Sequence, residues 1–139
     1  MLEFSVGELL HVSGVYETAA WGKEDQPNFL NAALSFKTDM PPLLLFNHLQ
    51  ETEFELGALK KVIWGPREID IDLIFFDQQI IQTKKLKVPH PRAHLRNFVL
   101  APLCDIIPNY RHPQLKRTIE ELYLSSKDTL EVSLTDQHL

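Results

Sequence analysis

Apolar and polar positions alternate most cleanly at 67–77 (REIDIDLIFFD), where Ile69, Ile71 and Leu73 interleave with Asp70 and Asp72. This period of two predicts a strand with one buried face. Residues 9–16 (LLHVSGVY) and 29–38 (FLNAALSFKT) read as two further strands, separated by a polar loop over 19–28 with Gly22 and Pro27. Pro41 and Pro42 then open a helix, since proline is tolerated in a first turn. Leu45, Phe46, Leu49 and Leu56 continue it at helical spacing, and Gly57 is the expected C-terminal cap. A basic loop is expected over 58–66, and a short strand over 79–83, paired through a turn at Asp77 and Gln78. Residues 89–96 predict a turn and the start of a short helix, 98–104 a helix, 118–125 a helix capped at or beside Thr118, and 129–134 a last strand. Helices mixed with hairpins in one domain over 1–139 predict an α+β or α/β sandwich.

Composition narrows the function classes. The 139 residues carry 14 Lys plus Arg against 19 Asp plus Glu, a net charge of −5. An acidic balance argues against a general nucleic-acid or anionic-membrane binder. The first residues lack a basic stretch, and the apolar runs at 43–46 and 73–76 are too short to span a bilayer. A soluble cytoplasmic protein is expected. The single cysteine, Cys104, forms no internal disulfide and reads as a small buried apolar residue. Nothing in the sequence sets an oligomeric state.

Asp70 and Asp72 are the first candidates for chemistry. On a strand they share a face about 6.5 Å apart, and two carboxylates so placed repel each other unless a hard cation such as Mg²⁺ lies between them. Two solvated acids on an exposed strand face are the alternative. Arg67, just ahead of the pair, suits bidentate phosphate contact, and Lys60 and Lys61 add charge before it. A second basic cluster runs from Lys84 to Arg96 and could meet a polyphosphate. His90 and His94 stand four apart with no third metal ligand close in sequence; His11, His48, His112 and His138 read as surface or hydrogen-bonded residues. Phe29 with Asn31 offers a ring and an amide on one strand face, a pairing suited to a flat heterocycle.

Four stretches together resemble a known family. They are SGVYETAAWG at 13–22, DQPNFLNAA at 25–33, WGPREIDIDL at 64–73 and VPHPRAHLRNFVL at 88–100. The resemblance, which runs from about Leu10 to about Pro113, is to the 6-hydroxymethyl-7,8-dihydropterin pyrophosphokinases of folate biosynthesis. It implies a ferredoxin-like sandwich of a mainly antiparallel sheet with helices. It implies transfer of pyrophosphate from ATP to the pterin hydroxymethyl group, giving AMP, with ATP as co-substrate and two Mg²⁺ held by Asp70 and Asp72. Arg67 would act with that pair at the reacting phosphates. Phe29 and Phe98 would sandwich the pterin, with Thr18, Ala19, Trp21 and Asn31 at its edge. Gln50, Glu53, Lys60, Trp64, Arg67, Leu73, Lys85, His90 and Arg96 would line the ATP site. The family pattern opens with a strand and a Gly-Ser-Asn loop. Residues 1–7 fall where its first helix ends, so a domain without that first strand is expected. Ala58 and Ile63 stand where the family usually carries basic residues. The alternative is a fragment or paralogue that binds nucleotide or pterin without turnover.

Overall fold

Residues 9–16 and 29–38, expected as strands, pair with each other, and each breaks at the same level. A computed structural model of the chain describes residues 6–18, 29–63 and 70–139, with the backbone alone for 58–63. Strand β1 (Glu8–Val12) runs antiparallel to β4 (Leu34–Lys37), and β2 (Tyr16–Thr18) antiparallel to β3 (Phe29–Asn31). Between the two pairs, Ser13 N–H donates to the Ala33 carbonyl at 2.9 Å, and Ser13 Oγ accepts from Ala33 N–H at 2.8 Å. This side-chain clamp replaces ladder bonds and bends the hairpin, the usual effect of a serine that competes with regular structure. A second irregularity sits at Leu10, where β1 carries one more residue than β4 opposes.

Helix α1 (Pro42–Ile63) starts as predicted but runs for 22 residues. Gly57 therefore lies inside it and is not a cap; residues 58–63, expected as part of a loop, are helical, and 64–66 lie outside the described residues. A helix-interior glycine costs about 1 kcal/mol relative to alanine, which the good helix formers Ala58, Leu59, Lys60 and Lys61 offset by carrying the helix on. Val6, Leu45 and Leu49 are buried together, with Phe36, Met40, Ile71, Leu73 and Phe76 against them.

The stretch 70–76, the clearest alternation in the sequence, is not a strand. Alternation fixes which residues are buried, whereas a strand also needs a ladder partner. Among the described residues the backbone bond to this stretch that bridges elements is His90 N–H to the Ile74 carbonyl, at 2.9 Å. The stretch is held by its side chains instead. Ile71, Leu73 and Phe76 join the cluster under α1, while Ile74 and Phe75 join a second cluster. The strand expected next also chooses another partner. β5 (Ile81–Gln82) pairs with β6 (Lys87–Val88) through a Thr83–Leu86 turn, not back across Asp77 and Gln78.

The second cluster is built from Leu100 and Leu103 of α2 (Asn97–Ile106) and from Ile119 and Leu122 of α3 (Ile119–Leu124). A single 3-10 turn, Ala93–Leu95, leads into α2. Thr118 caps α3 in a reciprocal box: its hydroxyl accepts from Glu121 N–H at 3.1 Å, and the Glu121 carboxylate accepts from Thr118 N–H at 3.0 Å. Strand β7 (Val132–Leu134) closes a three-stranded sheet in the order β3-β2-β7. Every strand pair is antiparallel and the helices pack beside the sheets, so the fold is α+β. No helix among the described residues is long and apolar enough to cross a membrane.

Buried polar groups in this second half have identifiable roles. Cys104 is half-buried rather than buried, and its thiol is pushed up to about 11, first by burial and then by Glu120 and Asp105, which disfavours the thiolate at neutral pH. His112 is buried rather than at the surface, and its Nδ1 accepts N–H bonds from Gln114 and Leu115, each at 3.1 Å. That geometry needs a neutral ring. Burial, and then His94 across a 6.0 Å ring-to-ring contact, hold its pKa below the ordinary 6.5. The folded chain thus binds this proton less tightly than the unfolded chain. The stabilisation is complete above about pH 6.5 and falls as pH drops through that value toward the lowered one. Urea midpoints measured from pH 7.5 to 5.5 should decline in the wild type. They should decline less in His112→Asn, whose amide oxygen can still accept; equal slopes would show that His112 contributes nothing.

Candidate active site

The three-stranded sheet and α2 frame one end of the candidate site. Directly opposed residues of antiparallel strands share a face. Thr18 opposes both Phe29 and Val132, and Tyr16 opposes both Asn31 and Leu134, so these six side chains lie on one face. Tyr16 fixes which way that face looks. Its hydroxyl donates to Asp105 Oδ1 at 2.7 Å, and Gly14 N–H donates to Asp105 Oδ2 at 3.2 Å. Burial first, and then the Asp105 bond, push the Tyr16 phenol up to about 12. The face therefore looks toward α2, with the Tyr16 row at the C-terminal end of that helix.

The Thr18 row lies toward the other end. From Val132, opposite Thr18, the chain is four residues from Asp128, which hydrogen-bonds the first residue of α2, Asn97. Phe29 is consequently on the same side of the sheet as α2 and at the end where Phe98 sits. Phe29 is 60% exposed, an unusual position for so large an apolar ring. The Phe98 ring has the Arg96 guanidinium carbon 5.6 Å from its centroid, within cation–π range. Thr18 is only 4% exposed, and its hydroxyl oxygen has no hydrogen-bond partner among the described residues. Thr18 and Phe29 thus lie toward the end of the sheet nearest the start of α2, where Arg96 and Phe98 sit, whereas Asn31 is in the Tyr16 row toward the other end of that helix.

The carboxylate pair follows from the 70–76 stretch. Asp70 and Asp72 are exposed, while Ile71 and Leu73 between and after them pack inward. The expected alternation of exposed acids and packed apolar residues is present without a strand. Neither carboxylate has a hydrogen bond or ion pair among the described residues, which leaves hard oxygen donors free, as a Mg²⁺ site requires. Glu53 holds the stretch in place, because its Oε2 accepts Ile71 N–H at 2.8 Å. This contact between α1 and the residue between the two acids had no signal in the sequence.

Other ATP-site candidates cluster beside α1. Gln50 is three residues before Glu53 and so neighbours it on the helix surface. Gln50 and Lys85 line the same groove of about 520 Å³, with Asn47, Glu51, Phe54 and Glu55. These four came unannounced, although 47, 50, 51, 54 and 55 have the spacing of one helix face. Leu73 packs under α1 with Leu45 and Leu49. His90 is tied to Ile74 by its backbone, and its Nδ1 accepts from Arg92 N–H at 3.2 Å. His94 meets His112 rather than His90. Ala19, Trp21, Trp64, Arg67 and the side chain of Lys60 lie outside the described residues.

Comparison with known proteins places the chain in a family. Residues 1–108 match the family profile of 7,8-dihydro-6-hydroxymethylpterin-pyrophosphokinase. The 2-amino-4-hydroxy-6-hydroxymethyldihydropteridine pyrophosphokinase of Aquifex aeolicus is 44% identical over 114 residues, covering 82% of this chain and 71% of that protein. The Bacillus subtilis protein of the same name is 48% identical over 95 residues, 68% of this chain and 57% of its own length. The folic acid synthesis protein FOL1 of Dictyostelium discoideum is 38% identical over 113 residues, 81% of this chain but 17% of that protein. The chain thus spans less than two thirds of the Bacillus relative. These matches define a class, the pyrophosphokinases. Within it, the chain belongs to the 7,8-dihydro-6-hydroxymethylpterin-pyrophosphokinase family.

Proposed function

We propose that this chain transfers the pyrophosphoryl group of ATP to the hydroxymethyl oxygen of 6-hydroxymethyl-7,8-dihydropterin, releasing AMP, as a step of folate biosynthesis in the cytoplasm. The observation that supports it most is the pair Asp70 and Asp72, exposed, unpartnered among the described residues and steadied through Ile71 by Glu53. The hydroxymethyl oxygen attacks the β-phosphorus, the bond from that phosphorus to the α-phosphate oxygen breaks, and the hydroxyl proton passes to solvent water. AMP departs with the bridging oxygen.

Such a transfer demands positioning and charge neutralisation more than covalent help from the protein. Asp70 and Asp72 would hold two Mg²⁺, which when bound neutralise phosphate oxygens and favour departure of AMP. Lys85, His90 and Arg96, with Arg67 and Lys60 from the sequence, meet the remaining phosphate charge. Gln50, Glu53, Leu73 and Trp64 line the nucleotide. Phe29 and Phe98 stack on the pterin faces, while Asn31, Thr18, Ala19 and Trp21 meet its edge. The hydroxyl of Thr18, buried and without a partner among the described residues, supports that edge role. Incubating the chain with ATP, Mg²⁺ and the pterin alcohol should yield AMP and the pterin diphosphate ester in equal amounts by liquid chromatography. ATP binding without AMP, or ADP in its place, would overturn the reading.

A further inference from the structure

The start of α2 carries Phe98, yet its own N-cap residue, Arg96, makes no side-chain capping bond. The first N–H groups of a helix have no partner within it and need one from elsewhere. Here the acceptor comes from 31 residues downstream: Asp128 Oδ2 accepts Asn97 N–H at 2.8 Å. The Asp128 carbonyl also accepts from Asn97 Nδ2, at 3.3 Å. The side-chain oxygen of Asn97 is buried with no partner, so among the described residues Asp128 alone orients that amide. A carboxylate at this position also meets the positive end of the helix dipole.

Asp128 is itself held rigidly. Its N–H donates to Ser126 Oγ at 3.2 Å, and its Oδ1 accepts Leu130 N–H at 3.1 Å. Four residues beyond it, Val132 joins the ladder opposite Thr18, whose other neighbour is Phe29. One short segment therefore ties the Phe98 end of α2 to the Phe29 end of the sheet. It lies outside residues 1–108, the part that matches the family profile.

We propose that Asp128 is a positioning residue: by clamping the first turn of α2 to the segment entering β7, which reaches Phe29 through Thr18 of β2 between them, it sets the gap between the two aromatic walls and so the affinity for the pterin ring. This rests on the assignment of Phe29 and Phe98 as those walls. Arg96, by contrast, has a backbone tie of its own, N–H to the Ala93 carbonyl at 3.3 Å, so phosphate contacts depend less on Asp128.

The test is steady-state kinetics of the full chain and of Asp128→Ala and Asp128→Asn. Asp128→Ala should raise the pterin KM about tenfold, the loss expected for one charge-assisted bond, with kcat and the ATP KM little changed. Asp128→Asn, which keeps an acceptor, should recover most of that loss. An unchanged pterin KM, an equal rise in both KM values, or an asparagine variant as poor as alanine overturns the proposal. Amide hydrogen exchange at Asn97 needs no ligand and should speed up in Asp128→Ala and much less in Asp128→Asn; unchanged exchange in Asp128→Ala also overturns it. A wild-type chain that neither forms AMP nor binds 6-hydroxymethylpterin overturns the functional assignment instead, and exchange at Asn97 then decides the clamp by itself.

Discussion

Asp70→Asn and Asp72→Asn should each lower the rate of AMP formation by about a hundred- to a thousandfold, the range seen when one preorganised electrostatic contact to a transition state is lost. Asparagine keeps the size and one oxygen of the side chain but removes the charge that a hard cation needs. Both residues are exposed and make no hydrogen bond among the described residues, so neither change should unfold the chain. Without metal, each substitution relieves a like-charge repulsion, and the Tm should stay level or rise slightly. The Mg²⁺ concentration for half-maximal rate should move upward. Circular dichroism and a Mg²⁺ titration of the rate check both halves. Variants with unaltered Mg²⁺ dependence would mean that the two acids are merely solvated.

Phe98→Ala should raise the pterin KM about tenfold to a hundredfold, since stacking a base on an aromatic ring is worth about 1–3 kcal/mol. It also removes the surface over which Arg96 lies, so a smaller rise in the ATP KM accompanies it. Phe29→Ala is the cleaner companion. Its ring is 60% exposed, so truncation leaves little cavity and the Tm should barely move while the pterin KM rises. Two walls on one ring are coupled, and the double variant should lose less than the product of the single losses. Independent, multiplying effects, or a pterin KM that ignores both changes, would separate the two rings from a common site.

The sequence was legible where a single local rule decides. The α3 cap needs only Thr118 and Glu121 three residues apart, and the α1 start needs only the proline pair. The alternation around Asp70 correctly separates exposed acids from packed Ile71 and Leu73. It overreaches in naming a strand, because ladder partners are not local. Gly57 misleads for the reverse reason: glycine is permissive at a cap but does not enforce one. The long-range contacts were invisible. Glu53 meets Ile71 across 18 residues, Asp105 meets Tyr16 across 89, and Asp128 meets Asn97 across 31. Each joins two elements whose register is set only when the two apolar clusters pack. The site residues that stood out are those with distinctive chemistry, such as paired acids, clustered cations and an aromatic beside an amide. The residues that steady them look ordinary in the sequence.

The central claim is that the pterin hydroxymethyl oxygen attacks the β-phosphorus of ATP on this chain. It is tested most directly with substrate labelled by ¹⁸O at that hydroxyl, in the presence of Mg²⁺, followed by ³¹P NMR of the products. The label is expected to stay in the bridge between the pterin carbon and the new diphosphate, and AMP to carry none. Label in AMP, or formation of ADP with a pterin monophosphate, would contradict it.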